Sequence, residues 1–200
     1  INGGNGSTTY GVDVKDGATP LIAANRITGG GGTTVSVGVR VSAAAARIVG
    51  QCDTTEAVTG RCTSGCWFNN RYIRGHSASG PGDSFAVLLE DAAGTIVDRN
   101  GLCGSSGTDG ATVRIVGESQ GVIVAGNNAQ SWGNTDSAYG VWMDACGGAA
   151  PWIVNNYSIV AQTPRTGVNS DGIRVAGDCH PIIDSNRQIT GGVEGATGCG

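Results

Sequence analysis

The chain lacks long apolar runs. Its longest uninterrupted aliphatic stretches are four residues, such as Ala86-Val87-Leu88-Leu89. A membrane helix needs about 20 apolar residues, so no segment is expected to span a bilayer. Charge is also sparse, at 14% of residues against roughly 25% in ordinary domains. Twelve scattered basic residues and a net charge of −4 provide no footprint for nucleic acid. Leu and Lys are scarce and glycine is abundant, which argues against long helices, since each helical glycine costs about 1 kcal/mol relative to Ala. With five prolines and no glycine at every third position, a collagen-like chain is excluded. A disordered linker is excluded too, because 39% of the residues are apolar.

Glycine is what the chain has in excess, 36 of 200 residues. With the exclusions above, this points to a turn-rich β protein whose glycines punctuate many short strands. Two hundred residues fit one domain, 1–200. The chain opens at Ile1 without a Met or an apolar leader, which reads as a processed mature chain or an excerpt of a longer one.

Seven cysteines stand at positions 52, 62, 66, 103, 146, 179 and 199. No CxxC pair occurs, and His76 and His180 are distant from the one close cluster, Cys52, Cys62 and Cys66. Zinc needs four ligands at tight spacings, so neither a metal site nor a cofactor is expected. Disulfides in an oxidising compartment are expected instead, which places the protein outside the cell or at its surface. The odd count leaves at least one thiol free or bonded to another chain.

A repeat runs through the chain. Gly-apolar-x-apolar occurs as Gly11-Val12-Asp13-Val14, Gly38-Val39-Arg40-Val41, Gly140-Val141-Trp142-Met143 and Gly172-Ile173-Arg174-Val175, with looser copies at 86–89 and 112–115. Each reads as a short strand with two side chains facing in and one facing out. About ten residues later comes a second apolar point: Ile22, Ile48, Ile96, Ile123, Ile153 and Ile183. An Asn follows (Asn25, Asn70, Asn100, Asn128, Asn156, Asn186), and then a third apolar point, as in Ile27, Ile73, Ile159 and Ile189. The segment 43–69 breaks the phase and reads as irregular or inserted. Units of this size cannot bury their apolar points alone, whereas stacked units bury them in a continuous core. The expected fold is therefore all-β: a right-handed single-stranded parallel β-helix of about seven turns. An Asn at one corner of every turn would donate its amide to the Asn carbonyl of the next, and it tolerates left-handed backbone.

Asn-Asn-x-x-Ile followed by Gly-rich turns, with Gly-Ile/Val-x-Val opening the next turn, resembles the parallel β-helix repeats of the pectin-lyase-like superfamily. That resemblance implies extracellular lyases and glycosidases acting on acidic polysaccharides, and equally tailspikes, adhesins and surface proteins without catalysis. The hydrolases of the superfamily imply paired Asp and a His on neighbouring turns. Here Asn134-Thr135-Asp136 copies one motif, but the following Asp-Asp pair is missing and Gly75-His76 precedes it instead of following. The lyases imply several acids around calcium, yet the acids near the strand phase are spread over several turns, and no two turns repeat an Asp at one phase. No catalytic residue is assigned.

One outward column is more suggestive: Asp13, Arg40, Leu88, Arg114, Trp142 and Arg174 in successive turns. Arg40, Arg114, Trp142 and Arg174 form a candidate face for an anionic sugar chain, through forked hydrogen bonds and stacking. An ordinary solvent-facing row is the bland alternative. Two stacked cysteines, Cys146 and Cys179, are a candidate disulfide. Cys52 with Cys62 or Cys66 is a candidate local pair, and Cys199 a candidate link to a neighbouring subunit. Both ends of the sequence stop at one phase of the repeat, Ile1-Asn-Gly-Gly and Ile189-Thr-Gly-Gly, as expected for head-to-tail self-association or for an excerpt of a longer β-helix. The functional expectation is an extracellular structural module, either a surface protein or a filament subunit, with weak affinity for anionic carbohydrate. The alternative is a polysaccharide lyase or glycoside hydrolase acting on acidic glycans.

Overall fold

The computed structural model describes residues 1–50, 72–76, 82–104, 108–131, 137–162 and 169–193. Among these there are eighteen strands and no helix. They form six rungs of three strands each. Rung 1 holds β1 (Gly6–Lys15), β2 (Leu21–Ala23) and β3 (Ile27–Thr28). Rung 2 holds β4 (Gly32–Ser42), β5 (Arg47–Val49) and β6 (Tyr72–Arg74). Rung 3 holds β7 (Asp83–Glu90), β8 (Ile96–Asp98) and β9 (Gly101–Cys103). Rung 4 holds β10 (Asp109–Val116), β11 (Ile123–Ala125) and β12 (Asn128–Ser131). Rung 5 holds β13 (Ser137–Asp144), β14 (Trp152–Val154) and β15 (Ser158–Gln162). Rung 6 holds β16 (Asn169–Ala176), β17 (Ile182–Asp184) and β18 (Ile189–Val193). Equivalent strands pair in parallel from rung to rung and build three six-stranded sheets, which identifies the fold as a parallel β-helix.

The helix makes about five turns from first rung to last, not seven. Dividing chain length by the repeat period overcounts, because β5 and β6 belong to one rung: each pairs directly with its neighbours in rungs 1 and 3. Residues 50–71 therefore join two strands of the same rung, and the 43–69 lapse falls largely there. Residues 43–49, by contrast, keep the repeat and run into β5.

The core is a set of columns. In the first sheet, Val39, Val87, Val113 and Val141 stack in register, as do Val41, Leu89, Ile115 and Met143, and all are fully buried. The glycine expected to open each of these strands lies instead inside it, where the first sheet approaches the third. A Cβ on Gly11, Gly38, Gly140 or Gly172 would lie 2.5–2.7 Å from Cγ2 of Ile27, Ile73, Ile159 or Ile189 on the same rung. Where the third sheet carries Leu102 or the smaller Ala129, the matching position holds Ala86 or Thr112. Large and small side chains thus compensate rung by rung, as dense packing demands.

The second sheet corrects the isoleucine column. Its inward members are Ile22, Ile48, Val97, Val124, Ile153 and Ile183, so Ile96 and Ile123 stand one residue out of phase and face outward. These strands are three residues long and apolar on both faces, so hydrophobicity alone leaves the phase open; a one-residue slip exchanges the faces. Ile183 was expected in the core, yet it is 43% exposed because rung 6 is the last described and nothing described covers it.

An asparagine ladder runs over rungs 3 to 6, with Asn127 in place of Asn128 and without Asn25. Asn100 N–H and Nδ2 donate to Asn127 Oδ1 at 2.9 and 3.2 Å, Asn127 does the same to Asn156 at 3.0 and 3.1 Å, and Asn156 to Asn186 at 3.0 and 2.8 Å. Asn127 replaces the expected Asn128, which lies one residue too late, inside β12. The ladder residue sits two positions after each second-sheet strand, a spacing the Asn127-Asn128 doublet disguises. Asn25 bonds locally to the Ala23 carbonyl at 2.8 Å, and Asn70 lies outside the described residues. The left-handed backbone expected at these Asn falls on the residue before each one: Ala24, Arg99, Gly126, Asn155 and Ser185, all with φ between 53° and 65°. The corner is turned there, so the Asn itself keeps ordinary backbone and spends its side chain on the ladder.

Cys146 and Cys179 form a disulfide across rungs 5 and 6, with Cα atoms 4.8 Å apart, as stacking requires. Cys103, not singled out in the sequence, is also disulfide-bonded. Cys52, Cys62, Cys66 and Cys199 lie outside the described residues. Replacing Cys146 and Cys179 together by Ala should cost about 2–4 kcal/mol, since the bond closes a loop of 33 residues. Urea unfolding measures this, and hydrogen exchange should show β16–β18 losing protection first.

Candidate functional site

The candidate site is the outer face of the first sheet. Strand register places Asp13, Arg40, Leu88, Arg114, Trp142 and Arg174 in one column across all six rungs. Arg40, Arg114, Trp142 and Arg174 are therefore brought onto one face, with Leu88 between the first two. The kink at the Gly140 position lets residues three apart face the same way. Tyr139 accordingly joins Trp142 on the outside, with ring centroids 4.9 Å apart. A second apolar cluster of Val37, Phe85, Leu88, Ala111 and Tyr139 lies on this face, separate from the core.

The arginines lie over these rings. The Arg114 guanidinium is 3.4 Å from the Trp142 centroid and 5.9 Å from that of Phe85; Arg40 is 5.2 Å from Tyr10 and Arg174 is 5.5 Å from Tyr139. Each arginine also has a carboxylate. Arg40 Nε donates to Glu90 Oε2 at 2.6 Å and lies 3.5 Å from Asp13, Arg114 is 3.7 Å from Asp144, and Arg174 is 3.3 Å from Asp171. The hydrogen bond to Glu90 holds the Arg40 guanidinium above its usual pKa, against the opposing cost of burial. Burial lowers that of Arg114, opposed by Asp144, Asp83 and Asp109.

The pairing of these acids with the arginines was the part of the site missed in the sequence. Glu90 and Asp144 stand two residues after the column on their own strands, so the strand phase that revealed the arginines also carried their partners. Asp83 and Asp109 overturn the reading that no two turns repeat an Asp at one phase. They begin the equivalent strands β7 and β10, with Asp109 N–H donating to Asp83 Oδ1 at 3.3 Å. Desolvation raises the Asp83 pKa, partly offset by that hydrogen bond, and the nearby charge of Asp109 raises it further. The folded state therefore binds a proton that the unfolded state releases, so Asp83 lowers stability as pH rises through the carboxylate range. Asp83→Asn, which keeps the acceptor, should stabilise the protein at pH 7 and lose that advantage below the ordinary Asp range. Thermal melts from pH 3 to 8 check this.

The outside of the second sheet carries a further feature the sequence did not reveal. Leu21, Arg47, Ile96, Ile123, Trp152 and Ile182 stack in one outward column, with Leu21 64% and Trp152 47% exposed. Among the described residues no group of three or more His, Cys, Asp or Glu could hold a metal ion, and no helix is long and apolar enough to cross a membrane. Asp136 lies outside the described residues. No family model, curated protein or solved structure matches this chain.

Proposed function

We propose that the protein is an extracellular structural β-helix module, a surface protein or filament subunit without catalysis, related to the pectin-lyase-like superfamily. The observation that carries this reading is the self-neutralised outer face. Arg40, Arg114 and Arg174 each lie beside a carboxylate of the same sheet, so the face resembles a finished surface more than a site poised to act on an anion. The Asn-Asn-x-x-Ile repeats on a three-sheet helix support the superfamily assignment. The disulfides support an oxidising compartment outside the cell. Affinity for anionic carbohydrate would then be weak, because a sugar carboxylate must displace Glu90 or Asp144, and it would rest on stacking against Trp142.

The second reading, a polysaccharide lyase or glycoside hydrolase, is favoured by one specific observation. Asp83 and Asp109 are neighbouring carboxyl groups, one of them biased toward its protonated form, and they act electrostatically on Arg114. A reducing-end release assay on pectin, alginate and related acidic glycans separates the readings. No release is expected. Release that disappears in Asp83→Asn or Asp109→Asn would overturn the structural reading.

A further inference from the structure

The outward column of the second sheet carries two exposed side chains without partners. Every other described arginine has a hydrogen bond, a carboxylate or a ring against it, whereas Arg47, exposed in rung 2, has none among the described residues. Trp152, 47% exposed in rung 5, likewise has no ring or cation against it among the described residues. Three rung spacings of about 4.8 Å separate the two, so they cannot meet within one chain. The rest of the column is apolar: Leu21, Ile96, Ile123 and Ile182. A continuous exposed row of this kind, with one aromatic and one cation set into it, marks an interaction surface.

We propose that this face packs against the same face of a second copy of this chain, about a two-fold axis parallel to the strands. Such an axis keeps the strand direction and reverses the order of the rungs, so every contact is made twice. With the centre between rungs 3 and 4, Arg47 of each copy lies on Trp152 of the other. Ile96 then faces Ile123, and Leu21 faces Ile182. Arg47 and Trp152 fix that centre, independently of where the chain starts and stops. The proposal goes beyond the structural reading above and does not depend on it, because the second sheet carries none of the residues of the candidate site.

Charge complementarity selects this arrangement. The neighbouring outward column holds Asp184 in rung 6, exposed and without an ion pair among the described residues. It also holds Asp98 in rung 3, which Arg99 already neutralises at 2.9 Å. Reversing the rungs sets Asp184 of the other copy diagonally beside Arg47 and places Asp98 against Ala125. An axis parallel to the β-helix would instead set the two columns against each other, with Arg47 on Val49 and Ile96 on Asp98. A shift of one rung puts Arg47 on Ile123 or Ile182. Only the first arrangement gives the free cation both a ring and a carboxylate. The contact is isologous, so it closes at two copies.

The test weighs the purified 200-residue chain by sedimentation velocity over a concentration series. Mass rising from 20.0 kDa to twice that value, and no further, is expected. Two columns of six side chains make a small face against the roughly 20–30 residues of a standard interface, so dissociation in the micromolar range is expected. Arg47→Glu alone and Trp152→Arg alone should each weaken dimerisation about tenfold or more, the first by setting an acid beside Asp184 and the second by setting arginine on arginine. The double variant Arg47→Glu/Trp152→Arg should recover it, because the new acid then faces the new base. Recovery separates a lost contact from a damaged fold, and circular dichroism confirms that each variant keeps its β signature. A monomer at every concentration, a mass that climbs past the dimer, indifference to both single variants, or a double variant no better than the singles would overturn the proposal. A monomer whose binding to glycans or lipid vesicles falls with Trp152→Arg would overturn it too, and would give the face to that partner. The reducing-end assay bears on neither result, so the two readings stand or fall separately.

Discussion

Replacing Asn156 by Ala is expected to cost about 3–6 kcal/mol, because it orphans several buried polar groups at about 1–3 kcal/mol each. Asn156 Oδ1 accepts both the N–H and the Nδ2 of Asn127, and its own Nδ2 donates to the Val124 carbonyl at 2.9 Å and to Asn186 Oδ1. Water cannot easily replace these partners, since Asn156 and Asn127 are almost wholly buried. Asn25→Ala is the matched control. It removes one exposed local bond and should cost no more than about 1 kcal/mol. Chemical unfolding of the two variants checks the contrast, and equal effects would mean that the ladder contributes no more than an ordinary turn.

Ile153→Ala should cost about 2–5 kcal/mol, and Ile153→Val about 0.5–1.5 kcal/mol, as for buried isoleucines generally. Ile153 is fully buried between Val124 below and Ile183 above, so truncation leaves a cavity the stacked columns cannot collapse to fill. Ile183→Ala makes the same chemical change in the same column but on a side chain already 43% in water, and its cost should be well under half as large. The two variants compare a filled column position with an open one.

Much of the site was readable in the residues. The outward column from Asp13 to Arg174 was legible because each first-sheet strand repeats the same short motif, and parallel pairing preserves its phase. Its electrostatics were not. Glu90 and Asp144 neutralise Arg40 and Arg114 from neighbouring rungs, and Asp83 meets Asp109 across a rung boundary; contacts between residues tens of positions apart depend on how the turns stack. Cys146 and Cys179 were paired correctly because they follow their strands at nearly equal distances, whereas Cys103 belongs to no such matched pair of turns.

The amino-acid sequence by itself determined that this chain coils into a parallel β-helix with an asparagine corner. A repeat of about thirty residues, with three apolar points and no helical period, has few other ways to bury its side chains. Tertiary structure alone decided the phase of the second sheet and the identity of the ladder Asn. Ile96-Val97, Ile123-Val124 and Asn127-Asn128 are pairs in which either member satisfies the local pattern. The choice is made by closure of the turn: a left-handed residue follows the second-sheet strand in rungs 1, 3, 4, 5 and 6 and fixes which side chain points inward, and the six rungs must agree for the columns to stack. The same closure explains the glycines of the first sheet. They are small because the isoleucines of the third sheet reach across the core to them, and Thr112 is tolerated where that neighbour is Ala129.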